Sequence, residues 1–117
     1  NGGQTRSFCY IDDLVECLIK LMNTTFSGPI NIGSEEQVSI NQMIEMIENI
    51  ANYKVEKCYD LNKPIGVIGR SSNNAKIKRE IDWEPSFSLI EGLEKTYSWI
   101  YDMILKNKNS KNIFTLS

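Results

Sequence analysis

The start of one helix can be located to the residue in this sequence. Ser39 and Gln42 have the spacing of a capping box, in which the serine side chain accepts from an amide of the first turn and the glutamine side chain bonds back to the serine amide. Apolar side chains then recur at helical spacing at Ile40, Met43, Ile44, Ile47, Ile50 and Ala51, opposite Glu45, Glu48 and Asn49. We therefore predict an amphipathic helix that begins directly after Ser39.

Three further helices are predicted around it. Ser88 and Glu91 form a second capping box, before a helix that runs to about Lys106. Asp12 is the predicted N-cap of the helix "DLVECLIKLM", whose apolar face comprises Leu14, Cys17, Leu18, Leu21 and Met22. The run "NNAKIKREI" forms a short helix, capped by Ser72 or Asn73.

Short apolar or alternating runs at 5–11, 29–33 and 54–60 are predicted strands. Strand and helix alternate early and two helices come last, so the fold class is α/β tending to α+β. Three short strands make a poor sheet by themselves. We expect them to complete a sheet begun upstream, in a longer protein of which this chain is a later part.

Composition excludes several classes of function. The 117 residues carry a net charge of −2, which argues against nucleic-acid binding. No apolar run is long enough to span a membrane. Cys9, Cys17 and Cys58 are odd in number and lack C-x-x-C spacing, so we expect buried or free thiols in a reducing, cytoplasmic compartment. Trp83 and Trp99 are predicted packing residues.

Two arginines are candidate binding residues. Arg6 lies within a predicted strand, and either pairs with Asp12 or Asp13 or reaches for an anion from outside the chain. Arg70 lies in the loop "GRSSNN", beside Ser71 and Asn73, and is either a plain loop arginine or a second anion contact. Together the two could hold a diphosphate.

No catalytic set is predicted. The chain has no histidine, and no glycine-rich dinucleotide loop is present. Asp12 and Asp13 could form an acid–base pair, although an N-cap with a first-turn partner of the helix dipole is the simpler interpretation.

The order of the segments resembles a known family. "QTRSF" followed by "YIDDLVE", then "GPINIGSEE", then "GVIGRSSNN" and "EGLEKTYSWI" are similar to the C-terminal third of extended short-chain dehydrogenase/reductases, the family of sugar-nucleotide epimerases, dehydratases and decarboxylases. The last two stretches resemble enzymes of GDP-sugars more than those of UDP-sugars.

The resemblance implies that 1–106 is the substrate-binding portion of a Rossmann-type enzyme and 107–117 a flexible polar tail. NAD and the catalytic residues would belong to an N-terminal domain absent from this chain, and the full-length form would be a homodimer. The substrate would be a nucleotide-sugar, with a GDP-sugar favoured, and its diphosphate would contact Arg6 and Arg70, with Ser71 and Asn73 nearby. Many members have an acidic residue where this chain has Asn73.

Other assignments are compatible with the same residues. The chain could come from a UDP-sugar epimerase, a dehydratase or a decarboxylase. It could also be a non-catalytic binding module on the same scaffold, or a structural domain in which both arginines make only surface pairs.

Overall fold

The computed structural model describes residues 1–64 and 66–106, so the predicted tail at 107–117 lies outside the described residues. The described chain contains three short strands and four helices. In chain order they are β1 (Thr5–Ser7), α1 (Ile11–Met22), β2 (Gln37–Ser39), α2 (Ile40–Ala51), β3 (Gly69–Arg70), α3 (Ala75–Ile81) and α4 (Leu89–Lys106).

The strands form one sheet with β1 in the middle, in the order β2-β1-β3. β1 pairs with β2 antiparallel, so that Arg6 faces Val38, and with β3 in parallel, so that Arg6 stands beside Arg70. The fold class predicted from sequence, α/β tending to α+β with short strands and four helices, is confirmed.

The centre of the fold is a small cluster in which Cys17 of α1 meets Ile77 of α3 and Trp83. All three are at least 98% buried. Around them pack the half-buried side chains of Cys9, Leu21, Ile30, Ile32 and Ile81. Burial raises the pKa of the Cys17 and Cys9 thiols, as expected for small apolar residues rather than reactive ones. The predicted packing role of Trp83 is confirmed.

Both predicted capping boxes are present. The Ser39 side chain accepts from the Gln42 amide at 3.1 Å, and the Gln42 side chain accepts from the Ser39 amide at 2.8 Å. At the start of α4, the Ser88 amide and hydroxyl both donate to one carboxylate oxygen of Glu91, at 2.8 and 2.6 Å. Local sequence signals thus fix where α2 and α4 begin.

Two predicted strands are not formed. The segments 29–33 and 54–60 have no ladder partner in the described chain, and side chains bond their backbone groups instead. Asn74 Nδ2 donates to the Gly33 carbonyl at 2.8 Å, and Lys76 Nζ donates to the Pro29 carbonyl at 2.8 Å. In the second segment the Val55 amide donates to Glu48 Oε1 at 2.9 Å.

The predicted strand at 5–11 ends early, because Tyr10 rather than Asp12 is the N-cap of α1. Asp12 lies in the first turn, so its predicted capping role is wrong. Helix α3 is also shorter than predicted. Its N-cap is Asn74, not Ser72 or Asn73, although Asn73 Oδ1 still accepts from the amide of Ala75 at 3.0 Å.

Burial differs from the predicted pattern on three helices. Leu18 and Met22 of α1 are 46% and 84% exposed, because α1 contacts the core through Cys17 and Leu21. Trp99 of α4 is 63% exposed, so its predicted packing role is wrong for the described chain. Conversely Glu48, predicted on the polar face of α2, is buried, and its carboxylate meets Lys54 Nζ at 3.1 Å.

Carboxylates join distant parts of the chain. Asp13, only 1% exposed, accepts from the amide and hydroxyl of Ser86 and from the amide of Phe87, at 2.9, 2.6 and 3.1 Å. The adjacent Glu35 and Glu36 accept from the amides of Asn74 and Leu89, at 2.7 and 2.9 Å. These bonds satisfy amides that precede α3 and α4 or, at Leu89, begin α4, and that have no partner within a helix.

None of the helices in the described part of the chain has the length and apolar character needed to cross a membrane.

We expect Ser39→Ala to lower the free energy of unfolding by about 1 kcal/mol, because the amide of Gln42 loses its side-chain acceptor. Urea titration followed by circular dichroism measures this loss. Ser98→Ala, at an exposed position inside α4, is the matched control and should change stability by less than about 0.5 kcal/mol. Equal effects of the two substitutions would contradict the role of the box.

We expect Asp13→Asn to cost about 2–3 kcal/mol, because an amide has one acceptor oxygen for three donors and turns its NH₂ group toward one of them. Asp12→Asn, at the exposed neighbouring position, should be nearly neutral. Urea titration of both variants measures the difference, and a neutral Asp13→Asn would show that this buried carboxylate does not hold the 86–87 segment.

Candidate anion-binding site

The sheet brings the two predicted arginines side by side. In the parallel pairing of β1 with β3, Arg6 and Arg70 are register partners. Neighbouring strands lie about 4.8 Å apart, and register partners project from the same face of a sheet. Two permanent positive charges therefore stand on one face of the sheet although they are far apart in sequence.

Neither guanidinium has a carboxylate partner within ion-pair distance among residues 1–64 and 66–106. The sequence alternative in which Arg6 pairs with Asp12 or Asp13 is therefore wrong for the described chain. Arg6 Nη1 instead donates to the carbonyl of Thr5 at 2.6 Å. Its Nη2 lies 3.9 Å from the point where a Cβ on Gly66 would stand, so the loop before β3 passes close to this guanidinium.

Like charges directly opposite each other on a sheet destabilise the pairing, by roughly the 0.2–1 kcal/mol that opposite charges would contribute. An anion placed between the two guanidinium groups would reverse the sign of this term. Arginine is suited to that task, since its planar fork grips two oxygens of a phosphate at once. The arrangement can therefore bind a phosphate or a diphosphate.

The other face of the same three strands carries a hydrogen-bonded bridge. Gln37 of β2 accepts from the Thr5 hydroxyl at 2.9 Å through Oε1, and donates to the Ser71 hydroxyl at 2.8 Å through Nε2. Gly69 lies beneath the bridge, and a Cβ there would come within 2.8 Å of Thr5 Oγ1. Only glycine allows β3 to approach β1 at this point without displacing the threonine.

The two remaining predicted site residues lie near the arginines in sequence but have other partners. Ser71 belongs to the bridge on the opposite face, where its hydroxyl accepts from Gln37. The Asn73 side chain accepts a hydrogen bond from the amide of Ala75, two residues later. Gln37 was not predicted as a site residue. The one sequence signal for it is the polar–apolar–polar alternation of Gln37, Val38 and Ser39, which is typical of a short strand.

Sequence reasoning also passed over two Tyr-x-x-x-Lys spacings, Tyr53 with Lys57 and Tyr59 with Lys63. On a helix this spacing brings the two side chains together. Here α2 ends at Ala51 and the segment that follows is not helical. Lys57 Nζ lies 3.8 Å from carboxylate oxygens of Glu45 and Glu48, and the Tyr59 hydroxyl donates to Asn41 Oδ1 at 2.8 Å. The structure therefore does not pair these groups for proton transfer.

The acidic pair at 12–13 does not form a catalytic dyad either, because Asp13 is buried and its oxygens accept from Ser86 and Phe87. Within the described residues no group of three His, Cys, Asp or Glu side chains is placed to hold a metal ion.

The chain is similar in sequence to known enzymes. It is 44% identical over 108 residues to GDP-mannose 3,5-epimerase of Arabidopsis thaliana, a match that covers 92% of this chain. It is 38% identical over 92 residues to UDP-glucuronic acid decarboxylase 3 of the same plant, which covers 79% of this chain. No family model matches the chain.

The fold is also similar to that of a known enzyme that acts on a nucleotide-sugar. The structure of UDP-glucuronic acid 4-epimerase from Bacillus cereus in complex with UDP-glucuronic acid and NAD superposes with a TM-score of 0.80 over 88% of this chain, at 31% identity. The chain spans 28% of the length of the first curated relative and 34% of the length of that structure.

We expect Arg70→Gln to raise the free energy of unfolding by about 0.5 kcal/mol at low ionic strength without multivalent anions, because it removes one of two like charges. The gain should vanish near 1 M salt, where charges are screened beyond about 3 Å. Thermal melts at both salt concentrations measure it. Arg79→Gln is the control, since Arg79 pairs with Glu80 at 2.7 Å and should show no such gain. A loss of stability on Arg70→Gln at low salt would contradict repulsion between the arginines.

Proposed function

Since the chain matches the C-terminal portion of NAD-dependent sugar-nucleotide epimerases and dehydratases, the extended short-chain dehydrogenase/reductases, we propose that it is the nucleotide-sugar-binding portion of such an enzyme. The substrate that we propose is a GDP-sugar, and the reaction is an epimerisation like that of GDP-mannose 3,5-epimerase. The similarity at 44% identity favours this reaction over the decarboxylase at 38%.

The observation that carries the proposal is the side-by-side placement of Arg6 and Arg70 without a carboxylate partner in the described chain. A nucleotide diphosphate carries adjacent negative phosphoryl groups, and two guanidinium groups on one face of a sheet match them in charge. Both arginines come from strands, so the site is set on backbone positions fixed by pairing, as a pre-organised anion site requires.

The proposal divides the work of the enzyme between two portions. The described chain has no glycine-rich loop between a strand and a helix that could hold the pyrophosphate of a dinucleotide. NAD, which supplies hydride transfer when bound, therefore belongs to the rest of the proposed enzyme. This chain's own residues bind and orient the substrate diphosphate. The 117-residue chain alone should show no turnover.

A second candidate function is binding of a UDP-sugar, and it rests on the decarboxylase and on the 4-epimerase structure. The arginine pair does not distinguish the two bases, because it addresses the diphosphate common to both. A cytoplasmic homodimer is the remaining part of the proposal. It rests on the family resemblance and, for the compartment, on three free cysteines.

Asn73 has a defined place in this proposal. Its side chain accepts from the amide of Ala75, at the start of α3. An aspartate would accept the same bond, so Asn73→Asp should be tolerated if the diphosphate lies at the arginines. Weaker binding would place Asn73 against the phosphates instead.

We expect Arg6→Ala and Arg70→Ala each to weaken GDP binding about ten- to a hundredfold, since a charge-assisted hydrogen bond contributes roughly 1.5–3 kcal/mol. Arg→Lys at either position should recover part of the loss, because an ammonium cannot grip two oxygens in a plane. Calorimetric titration of the 117-residue chain with GDP measures these affinities, and UDP and guanosine are titrated alongside.

Arg79→Ala, which removes an arginine already paired with Glu80, is the control and should bind GDP like the unmodified chain. Guanosine, which lacks phosphates, should bind equally to all variants. Identical GDP affinities for the unmodified chain, Arg6→Ala and Arg70→Ala would mean that the arginines have a structural role and that the proposed function is wrong.

A further inference from the structure

Strand β3 is a short edge strand, paired with β1 over two residues. It is two residues long, and both residues are exposed. Beside this pairing, the Thr5 amide donates to the Ile68 carbonyl at 2.8 Å, and the Ser72 amide donates to the carbonyl of Ser34, which precedes β2, at 3.3 Å. Arg70 projects from this strand, so its position beside Arg6 depends on a short pairing that the two charges themselves oppose.

One side chain spans all three strands and opposes the separation of β3 from β1. The Gln37 carboxamide, anchored on β2, bonds to the Thr5 hydroxyl on β1 and to the Ser71 hydroxyl directly after β3. Its oxygen accepts from the residue on β1, and its NH₂ group donates to the residue after β3. A carboxamide is suited to this place, because it combines an acceptor and a donor at one end of a flexible stem.

We propose that Gln37 is a positioning residue for the anion site, which keeps Arg70 beside Arg6 by joining β3 to the sheet from the opposite face. This inference rests on the proposed function, because it assigns Gln37 a role in binding the diphosphate that the two arginines contact. Gln37 acts through Arg70 and does not itself touch the ligand, since it projects from the face opposite the guanidinium groups.

The physical basis is a population of two states. With β3 paired, the two arginines can share one anion; with β3 detached, Arg6 alone remains at the site. The measured affinity falls in proportion to the fraction of molecules in the competent state. An anion that bridges the arginines favours the paired state, and the Gln37 bridge favours it before the anion arrives.

The test is calorimetric titration of the 117-residue chain with inorganic pyrophosphate at low ionic strength. Gln37→Met keeps the length of the side chain and removes both hydrogen bonds, and should weaken binding by about three- to tenfold. Gln37→Glu is the conservative variant. Its carboxylate can accept from both hydroxyls, of Thr5 and Ser71, and so restores the bridge, while its negative charge opposes the anion; binding should therefore recover part of the loss, and more of it at higher ionic strength.

A second pair of variants, made in the chain that carries Arg70→Gln, distinguishes positioning of Arg70 from a general loss of stability. In the chain that carries Arg70→Gln, β3 no longer presents a charge, so adding Gln37→Met should cause no further loss of pyrophosphate affinity. An equal loss in both backgrounds would overturn the inference, because Gln37 would then act independently of Arg70. The inference would also be overturned if Gln37→Met, in the chain with both arginines, left the pyrophosphate affinity unchanged.

Hydrogen exchange of the Ser72 and Thr5 amides reports the bridge without any ligand. Gln37→Met should accelerate exchange of both, and Gln37→Glu should restore their protection. Unchanged exchange would overturn the bridge while leaving the arginine site intact. If the unmodified chain does not bind pyrophosphate at all, the proposed function is wrong. The role of Gln37 in ligand binding is then overturned as well, even if hydrogen exchange shows that the bridge forms.

Discussion

The backbone pairing of β1 on both of its edges is the interaction on which the rest of the molecule depends. β1 has only three residues, yet it aligns β2 antiparallel on one side and β3 parallel on the other. The first pairing leads directly into α2, which begins at the residue after β2. The second places Arg70 next to Arg6. A shift of one residue would move every side chain of the strand to the other face, and the two charges would no longer meet.

Side chains complete much of what the short strands leave unsatisfied. Asp13, Glu35 and Glu36 accept from backbone amides far along the chain, and Asn74 and Lys76 donate to carbonyls of the 29–33 segment. Buried or half-buried backbone groups need partners, and these polar residues provide them where no ladder exists. The small apolar cluster around Trp83 is thus enclosed by hydrogen bonds that join segments far apart in sequence.

The sequence predicted the features that depend on neighbouring residues and missed those that depend on distant ones. The boxes at Ser39 and Ser88 were found because the cap and its partner lie three residues apart. Strands at 29–33 and 54–60 were wrong because alternation shows that a segment can pair, not that a partner exists. Arg6 and Arg70 were predicted to hold one diphosphate together, but their register on neighbouring strands could not be predicted, because no local pattern encodes it. Gln37 was missed for the same reason, since both of its partners lie more than thirty residues away.

The central position of β1 has a consequence for the order of folding. The partners of β1 are at residues 37–39 and 69–70, so one edge of β1 can pair only once residue 39 has been added and the other only once residue 70 has been added. Helices α1 and α2 can form from local contacts during that interval, whereas the sheet must wait for the closure of two long loops. An open strand edge is a site for pairing with other chains. Until residues 69–70 have been added, β1 is therefore a strand with an open edge, and pairing with β3 covers that edge.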